Sequence, residues 1–237
     1  MARAWLMILV FTIALLFFAI VAMPARVIIK EQNYILAGEQ LSLTKVSGKL
    51  LQGTARWRWR ELDGKVRWRL QQALPVPRIR IRIDSPALEA QGGIAVSLLG
   101  NLAIQNLALN ADVKYFSEAL ALTVGGADGN LLGELEEVLL TSEGSVSAEG
   151  VINYSGGHIH WANGSATVGP LQLIMDRQST ELTHLELRAS SSTELYMDGS
   201  INGRIFEWQV YRRWVQLLGM SQGGAADDVV FKISDQW

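Results

Sequence analysis

The stretch ARWRWRELDGKVRWRL, residues 55 to 70, alternates arginine with tryptophan on both sides of an Asp-Gly pair. A period of two is the repeat of a β-strand, because successive side chains point to opposite faces of a sheet. The pair Asp63-Gly64 between two such runs predicts a hairpin with a type I′ turn. The predicted cross-strand pairs include Trp59 with Trp68, Arg60 with Arg67, and Arg58 with Arg69.

The two faces of this hairpin differ in chemistry. One face carries the apolar side chains of Trp57, Trp59, Trp68 and Leu70. The other carries the guanidinium groups of Arg56, Arg58, Arg60, Arg67 and Arg69. Burial of three tryptophans at ~200 Å² each contributes on the order of 10 kcal/mol, as an upper bound. Facing like charges cost only roughly 0.2 to 1 kcal/mol per pair. We therefore expect the tryptophan face to set the register.

A third strand is expected to extend the arginine-rich face. After Pro75 and Pro77 the sequence RIRIRID alternates again, and its arginines are Arg78, Arg80 and Arg82. Three strands would then share one basic face. We hypothesise that this face contacts a partner protein or lipid headgroups. A solvated sheet face without a partner remains the alternative.

The rest of the chain predicts an all-β fold. Strand-like alternation separated by Gly, Asn, Asp and Ser continues for more than 100 residues, which favours a curved antiparallel sheet, a meander that is half-open or sandwich-like. SEALALTV, residues 117 to 124, is interpreted as a strand, whereas residues 131 to 139 fit a strand or a short helix. Residues 206 to 218 predict a C-terminal amphipathic helix, or a strand that runs into one, and DDVVFKI a last strand.

The N-terminal segment predicts a membrane anchor. Residues 4 to 23 contain no charge, and a helix of that length spans about 30 Å, the thickness of the hydrocarbon core. A cleaved signal peptide is the alternative, but its apolar region is normally shorter, and Pro24 would hinder cleavage. The expected division is a cytoplasmic start at 1–3, a transmembrane helix at 4–23 and a periplasmic β domain at 24–237. The chain would cross the membrane once, with its N-terminus in the cytoplasm.

Charge is divided along the chain, although the net charge is only −2. Residues 45 to 82 hold 11 lysines and arginines and two acidic residues, a balance of +9. Residues 83 to 237 hold 7 basic and 19 acidic residues, a balance of −12. Nucleic acid is not an expected partner, because a single-strand groove combines aromatic and basic side chains on one surface, and here they lie on opposite faces.

No motif for catalysis is recognisable. Nucleophile-elbow, Walker, dinucleotide-binding and HExxH motifs do not occur, and the absence of cysteine excludes thiol chemistry and disulfides. His158 and His160 would share a strand face, with His184 as a third metal ligand, but exposed strand histidines are the preferred interpretation. The acidic residues Glu134, Glu136 and Glu137 are interpreted as a solvated face. We expect no enzyme activity, no metal and no cofactor.

Several phrases of the sequence resemble protein N of the type II (general) secretion pathway. They are LTKVSGKLLQGTARWRW, VRWRLQQALP, GSINGR and WVQLLGM. The resemblance covers most of the chain with diffuse motifs, and Leu51 stands where the family pattern has tryptophan. It implies a non-enzymatic periplasmic domain on one anchor in the bacterial inner membrane, in the machine that exports folded proteins across the outer membrane. It also implies a distant similarity to AsmA-type proteins, whose curved sheets expose an apolar concave surface.

Two functions follow as hypotheses. The first is an assembly or interaction subunit of the type II secretion system, with the inner membrane and other subunits as partners. The alternative is a lipid-binding or lipid-transport module, in which Trp57, Trp59, Trp68 and Leu70 line an open groove and phospholipid is the ligand.

Overall fold

The computed structural model describes residues 23–28, 33–36, 39–72, 76–97, 100–119, 125–162, 164–220 and 223–236. Most of these residues are in β-strands, so the prediction of an all-β fold is confirmed. The strands are β1 (Asn33–Leu36), β2 (Glu39–Lys49), β3 (Gln52–Trp59), β4 (Leu62–Gln72), β5 (Arg78–Asp84), β6 (Leu88–Val96), β7 (Leu102–Asp112), β8 (Gly125–Ala127), β9 (Asn130–Leu140), β10 (Val146–Tyr154), β11 (Gly157–Trp161), β12 (Gly164–Val168), β13 (Leu171–Arg177), β14 (Leu182–Ala189), β15 (Leu195–Asn202), β16 (Ile205–Tyr211) and β17 (Val229–Gln236). The helices are α1 (Ala25–Ile28), α2 (Val113–Ala119) and α3 (Arg212–Leu217).

Fourteen strands form one antiparallel sheet in the order β1-β2-β3-β4-β5-β6-β7-β9-β10-β13-β14-β15-β16-β17. Strands β8, β11 and β12 form a separate sheet of three. Nearly every neighbour in the large sheet is also the next strand in sequence, as expected for a meander. The short connections between antiparallel strands make this order possible.

The first hairpin forms with a different turn from the predicted one. Its turn lies at Arg60 and Glu61, so the predicted turn at Asp63-Gly64 is wrong. The observed cross-strand pairs are Trp59 with Leu62, Arg58 with Asp63, Trp57 with Gly64, and Gly53 with Trp68. The predicted pairs Trp59 with Trp68, Arg60 with Arg67 and Arg58 with Arg69 are therefore wrong as well. The register differs by an even number of residues, so the apolar and basic faces of the two strands are nonetheless as predicted.

Two glycines explain the observed register. A Cβ atom at Gly53 would lie 2.4 Å from Cζ2 of Trp68, and one at Gly64 would lie 2.9 Å from Nε1 of Trp57. Each glycine therefore makes room for an indole ring on the opposite strand, an arrangement known from strands in which an aromatic residue covers a glycine. Gly64 therefore lies within strand β4 and not in the turn. The left-handed backbone conformation of the turn is adopted by Arg60, with φ of 52°.

The fourteen strands give the sheet two long edges. The lower edge contains the ends of β2, β4, β6, β9, β13 and β15 and the starts of β3, β5, β7, β10, β14 and β16, and the upper edge lies at the opposite strand ends. The chain connections place the small sheet at the upper edge, since β8 precedes the start of β9 and β11–β12 follow the end of β10. These two edges are used below to locate side chains.

The sheet curls strongly in its second half. At the lower edge the backbone N–H of Val146 donates to the carbonyl of Gly203 at 3.2 Å, and the N–H of Ala148 donates to Oγ1 of Thr183 at 2.9 Å. Gly203 follows β15, which is three strands away from β10 in the sheet order. In a flat sheet that distance would be about 14 Å. The main core, Leu135, Ala148, Met175 and Leu185, lies on the apolar face inside this curl.

The other elements agree in part with the sequence. β16 runs into α3 and is followed by the last strand β17, as predicted. Residues 131 to 139 are in strand β9, where the bulge residue Glu136 has no partner and separates Leu135 from Val138 by three positions. That bulge produced the helix-like spacing in the sequence.

One segment interpreted as a strand is helical. Ser117 to Ala119 of SEALALTV belong to α2, so that interpretation is wrong there, and residues 120–124 lie outside the described part. The helix begins after Asp112, whose carboxylate accepts the backbone N–H of Lys114 at 3.0 Å. The first backbone N–H groups of a helix have no partner within the helix, and a short polar side chain just before it accepts one of them.

The predicted transmembrane helix at 4–23 lies almost wholly outside the described residues, which begin at Met23. Among the residues that the structure does describe, no helix has the length and apolar character needed to cross a membrane.

Candidate functional site

The basic surface lies on strands β3, β4 and β5. We use this name for Arg56, Arg58, Lys65, Arg67, Arg69, Arg78, Arg80 and Arg82. In the sheet, Arg67 faces Arg82 and Arg69 faces Arg80, so the prediction of one arginine-rich face on three strands is confirmed. All eight side chains are exposed. Like charges sit opposite each other because the apolar side chains on the reverse face hold the register.

Arg60 does not belong to this surface. It occupies the turn between β3 and β4, and its Cζ lies 5.4 Å from the ring centroid of Trp59. This is a cation–π distance. The sequence placed Arg60 with the other arginines because the turn was predicted three residues later.

One carboxylate compensates part of the positive charge. Asp84, at the upper end of β5, accepts from Nη2 of Arg67 at 2.6 Å and from Nε of Arg82 at 2.8 Å. These hydrogen bonds, first that of Arg67, hold the pKa of Asp84 below its ordinary value. Asp84 closes the RIRIRID run, so a carboxylate directly after alternating arginines is the sequence signal for this ion pair.

The lower part of the basic surface does not reach Asp84. Within the described residues, Arg69, Arg78 and Arg80 have no carboxylate partner. A groove of about 560 Å³ contains Arg67, Arg69, Arg80 and Arg82, and a smaller groove of about 190 Å³ contains Arg78 and Arg80. Gln91 lines both grooves. Neither groove is lined by a carboxylate of the described residues, so an anion there would meet only hydrogen-bond donors and neutral groups.

The tryptophan face is half-buried. Trp57, Trp59, Trp68 and Leu70 are all intermediate in exposure, and the ring of Trp68 also donates from Nε1 to the carbonyl of Leu50 at 2.9 Å. Two helices cover parts of this face. Ala25 of α1 is fully buried next to Val46 and Ala55, with Trp68 packed against the same cluster, and Phe116 of α2 packs near Trp57 and Trp59. The region predicted as a possible groove is therefore partly filled by the chain itself.

The histidines lie in two places. His158 and His160 are exposed on β11 with their rings stacked, 6.2 Å between centroids. His184 lies on β14 of the large sheet, where Glu186 and Asp198 are each 3.4 Å from its Nε2. No group of three or more histidine and carboxylate side chains suited to a metal ion occurs among the described residues.

The acidic residues of β9 do not act together. Glu134 and Glu136 are exposed, whereas Glu137 accepts hydrogen bonds from Gln105 and Arg177. Those two donors, Gln105 first, lower the pKa of Glu137. A carboxylate that is held ionised by an arginine is poorly suited to donate a proton, so this cluster has a structural role. Arg177 also binds Glu149 on β10, a connection that the sequence did not indicate.

No family model matches the chain, and no curated protein or solved structure matches it either.

Proposed function

We propose that this protein is a non-enzymatic, membrane-anchored periplasmic component of the type II secretion system and that it acts by binding other subunits. The proposed anchor is the apolar segment 4–23, with the N-terminus in the cytoplasm. The upper part of the basic surface, around Arg56, Arg58 and Lys65, would bind an acidic surface of a partner subunit. The family resemblance of the sequence supports the secretion role.

The observation that carries this proposal is how the end of the apolar segment is attached. The carbonyl of Met23 accepts the N–H of Leu50 at 2.9 Å, and Pro24 forms a β-bridge with Lys49. Ala25 is buried against β2 and β3. An anchor in the segment before Met23 would therefore hold the strands of the basic surface close to the membrane in a fixed orientation, rather than on a free linker.

Secretion and crosslinking test this proposal in the host cell. A photo-crosslinking residue at Lys65 should capture a secretion subunit, and R56Q/R58Q should abolish that crosslink and reduce export. The control K114Q/K232Q removes the same charge from two exposed lysines outside the basic surface and should change neither readout. Unchanged export and crosslinking in R56Q/R58Q would contradict the proposed docking role.

A second candidate function, lipid binding, is favoured by the last strand of the sheet. Phe231 and Ile233 of β17 face Val210 and Trp208 on the apolar side, yet they are 56% and 52% exposed. A phospholipid chain would therefore lie at β16 and β17 rather than on the tryptophans of β3 and β4. Native mass spectrometry of the full chain should then show bound phospholipid that is lost in F231D/I233D. The control L132D changes an exposed apolar residue on the opposite face and should keep the lipid.

A further inference from the structure

A row of exposed apolar side chains lies along the lower edge of the large sheet. Its six members are between 37% and 55% exposed: Val27, Val76, Val96, Leu140, Leu182 and Ile205. Four others, Tyr115, Leu132, Met220 and Val229, lie toward the upper edge. Within the row, Val27 follows the bridge at Pro24, Val76 lies between β4 and β5, and the other four lie at the lower ends of β6, β9, β14 and β16. They come from distant parts of the sequence, and the strand pairing alone brings them to one edge. A single exposed apolar residue needs no explanation, but a row of them along one edge marks a contact surface.

The charge of the lower edge changes along the sheet. The lower ends of β2 to β6 carry the exposed Lys49, Arg69 and Arg78 and, among the described residues, no carboxylate. Exposed acidic residues lie farther along this edge, at Glu143, Glu181 and Asp235, and at the upper edge, at Glu61, Asp63, Glu89 and Glu194. An anionic surface would therefore attract the β2 to β6 part of the lower edge.

Three of the basic side chains without a carboxylate partner in the described part of the chain, Arg69, Arg78 and Arg80, lie toward the lower edge, and Arg56, Arg58 and Lys65, which also have none there, lie nearer the upper edge. Arg78 begins β5, and Arg69 and Arg80 face each other next to it, whereas Arg67 and Arg82 are bound to Asp84 nearer the upper edge. The small groove at Arg78 and Arg80 contains Gly92 and Gly93, which leave space beside the two guanidinium groups. One guanidinium group can donate two parallel hydrogen bonds to the oxygens of a phosphate, so a phosphate group fits the chemistry of this groove.

We propose that the lower edge is a membrane-docking edge, with its apolar side chains in the bilayer interface and Arg69, Arg78 and Arg80 bound to anionic phospholipid headgroups. A membrane is favoured over an acidic protein because the apolar segment ends at this edge, where Met23 is hydrogen-bonded to Leu50. This argument rests on the anchor in the proposed function. Apolar side chains beside arginines are also the composition of segments that lie in a membrane interface.

Site-directed labelling tests the docking edge, because the chain has no cysteine of its own. The full-length protein, with single cysteines at Val76, Val96 or Ile205, is labelled with the fluorophore NBD and reconstituted into phosphatidylcholine vesicles containing phosphatidylglycerol and nitroxide-labelled lipid. Cysteines at the exposed upper-edge positions Ser190 and Thr193 serve as controls. We expect at least five-fold stronger quenching at the lower edge than at the upper edge.

Charge variants separate headgroup binding from simple proximity to the anchor. R69Q/R78Q/R80Q should lower the ratio of docked to undocked protein roughly five-fold per arginine on vesicles with phosphatidylglycerol. The same variant should have little effect on pure phosphatidylcholine. The control R56Q/R58Q/K65Q removes equal charge from the upper part of the same surface and should dock like the unaltered chain.

The outcomes distinguish the two proposals. Equal quenching at both edges, in protein that floats with the vesicles, would overturn the docking edge but leave the anchor intact and assign the lower edge to a protein partner. Strong lower-edge quenching that R69Q/R78Q/R80Q leaves unchanged would overturn the headgroup assignment. Protein that fails to float with vesicles would contradict the anchor and the docking edge together.

Discussion

The substitution Gly53→Ala tests the fit between glycine and tryptophan that sets the first hairpin. The new Cβ would lie 2.4 Å from Cζ2 of Trp68 and 2.6 Å from the carbonyl oxygen of Ser47. Both contacts are far below van der Waals distance, and the second one is to backbone. The indole cannot simply move away, because its Nε1 is hydrogen-bonded to Leu50 and its ring packs against the Ala25 cluster.

The cost follows from these contacts. Overpacking typically costs about 1 to 3 kcal/mol, and loss of the indole hydrogen bond adds about 1 kcal/mol. We therefore expect the free energy of unfolding to fall by roughly 2 to 4 kcal/mol, which lowers the melting temperature of a protein this size by roughly 5 to 15 °C. Thermal unfolding followed by tryptophan fluorescence measures this directly.

Gly169→Ala is the matched control for this substitution. A Cβ at Gly169 would have no heavy atom within 4 Å, and its backbone is not left-handed. Its melting temperature should stay close to that of the unaltered chain, since surface substitutions of this kind usually change stability by less than about 0.5 kcal/mol. Equal melting temperatures for G53A and G169A would show that Trp68 does not cover Gly53, and the observed register would lose its explanation.

Three further substitutions test hydrogen bonds and charges elsewhere in the sheet. Thr183→Val should cost about 1 to 3 kcal/mol, because it leaves the buried N–H of Ala148 without its acceptor, whereas Thr183→Ser keeps the hydroxyl and should cost less; thermal melts that do not separate them would refute this. Trp68→Phe should be more destabilising than Trp57→Phe by about 1 kcal/mol, since Nε1 of Trp68 is bound to Leu50 while the buried Nε1 of Trp57 has no partner. Arg177→Met leaves Glu137 facing Glu149 and should cost about 1 to 3 kcal/mol at pH 7. Because the pKa of folded Glu137 lies below its ordinary 4.5, that stabilisation is complete above about pH 5 and lost as the pH falls through the folded pKa, so melting curves of the two proteins should converge in acid.

Periodicity predicted the faces of the strands but not their pairing. Trp57 and Trp68 lie on the apolar face in either register, because a shift by an even number of residues keeps every side chain on its face. The choice between registers depended on whether an indole ring meets another indole or a glycine, as Trp68 does with Gly53. That fit is a property of packing in three dimensions, which an alternating pattern does not contain. The packing of indole rings on glycines therefore outweighed the turn preference of Asp63-Gly64.

In the candidate site, the sequence predicted which arginines share a face but not which of them have an acidic partner. The arginines of β4 and β5 were predicted to share a face because they alternate along the chain, and they do so. Which of them remain without an acidic partner depends on Asp84, which reaches Arg67 across the pairing of two strands. The lower edge was not predictable, since Val96, Leu140 and Ile205 come together only after the whole meander has formed.

The curl of the sheet limits where a lipid chain could bind. A single-layer sheet must bury its apolar face somehow, and here β10 bends toward the turn after β15, so that Leu135, Met175 and Leu185 cover one another. Near β3 and β4, Ala25 and Phe116 cover part of the apolar face. Among the side chains that the structure describes, only those of β17, the final strand of the large sheet, lie on the apolar face and are more than half exposed. A lipid bound to this face would therefore enter beside Phe231 and Ile233, and the tryptophans that suggested a groove in the sequence instead pack against neighbouring apolar side chains of β2, β3 and the two short helices.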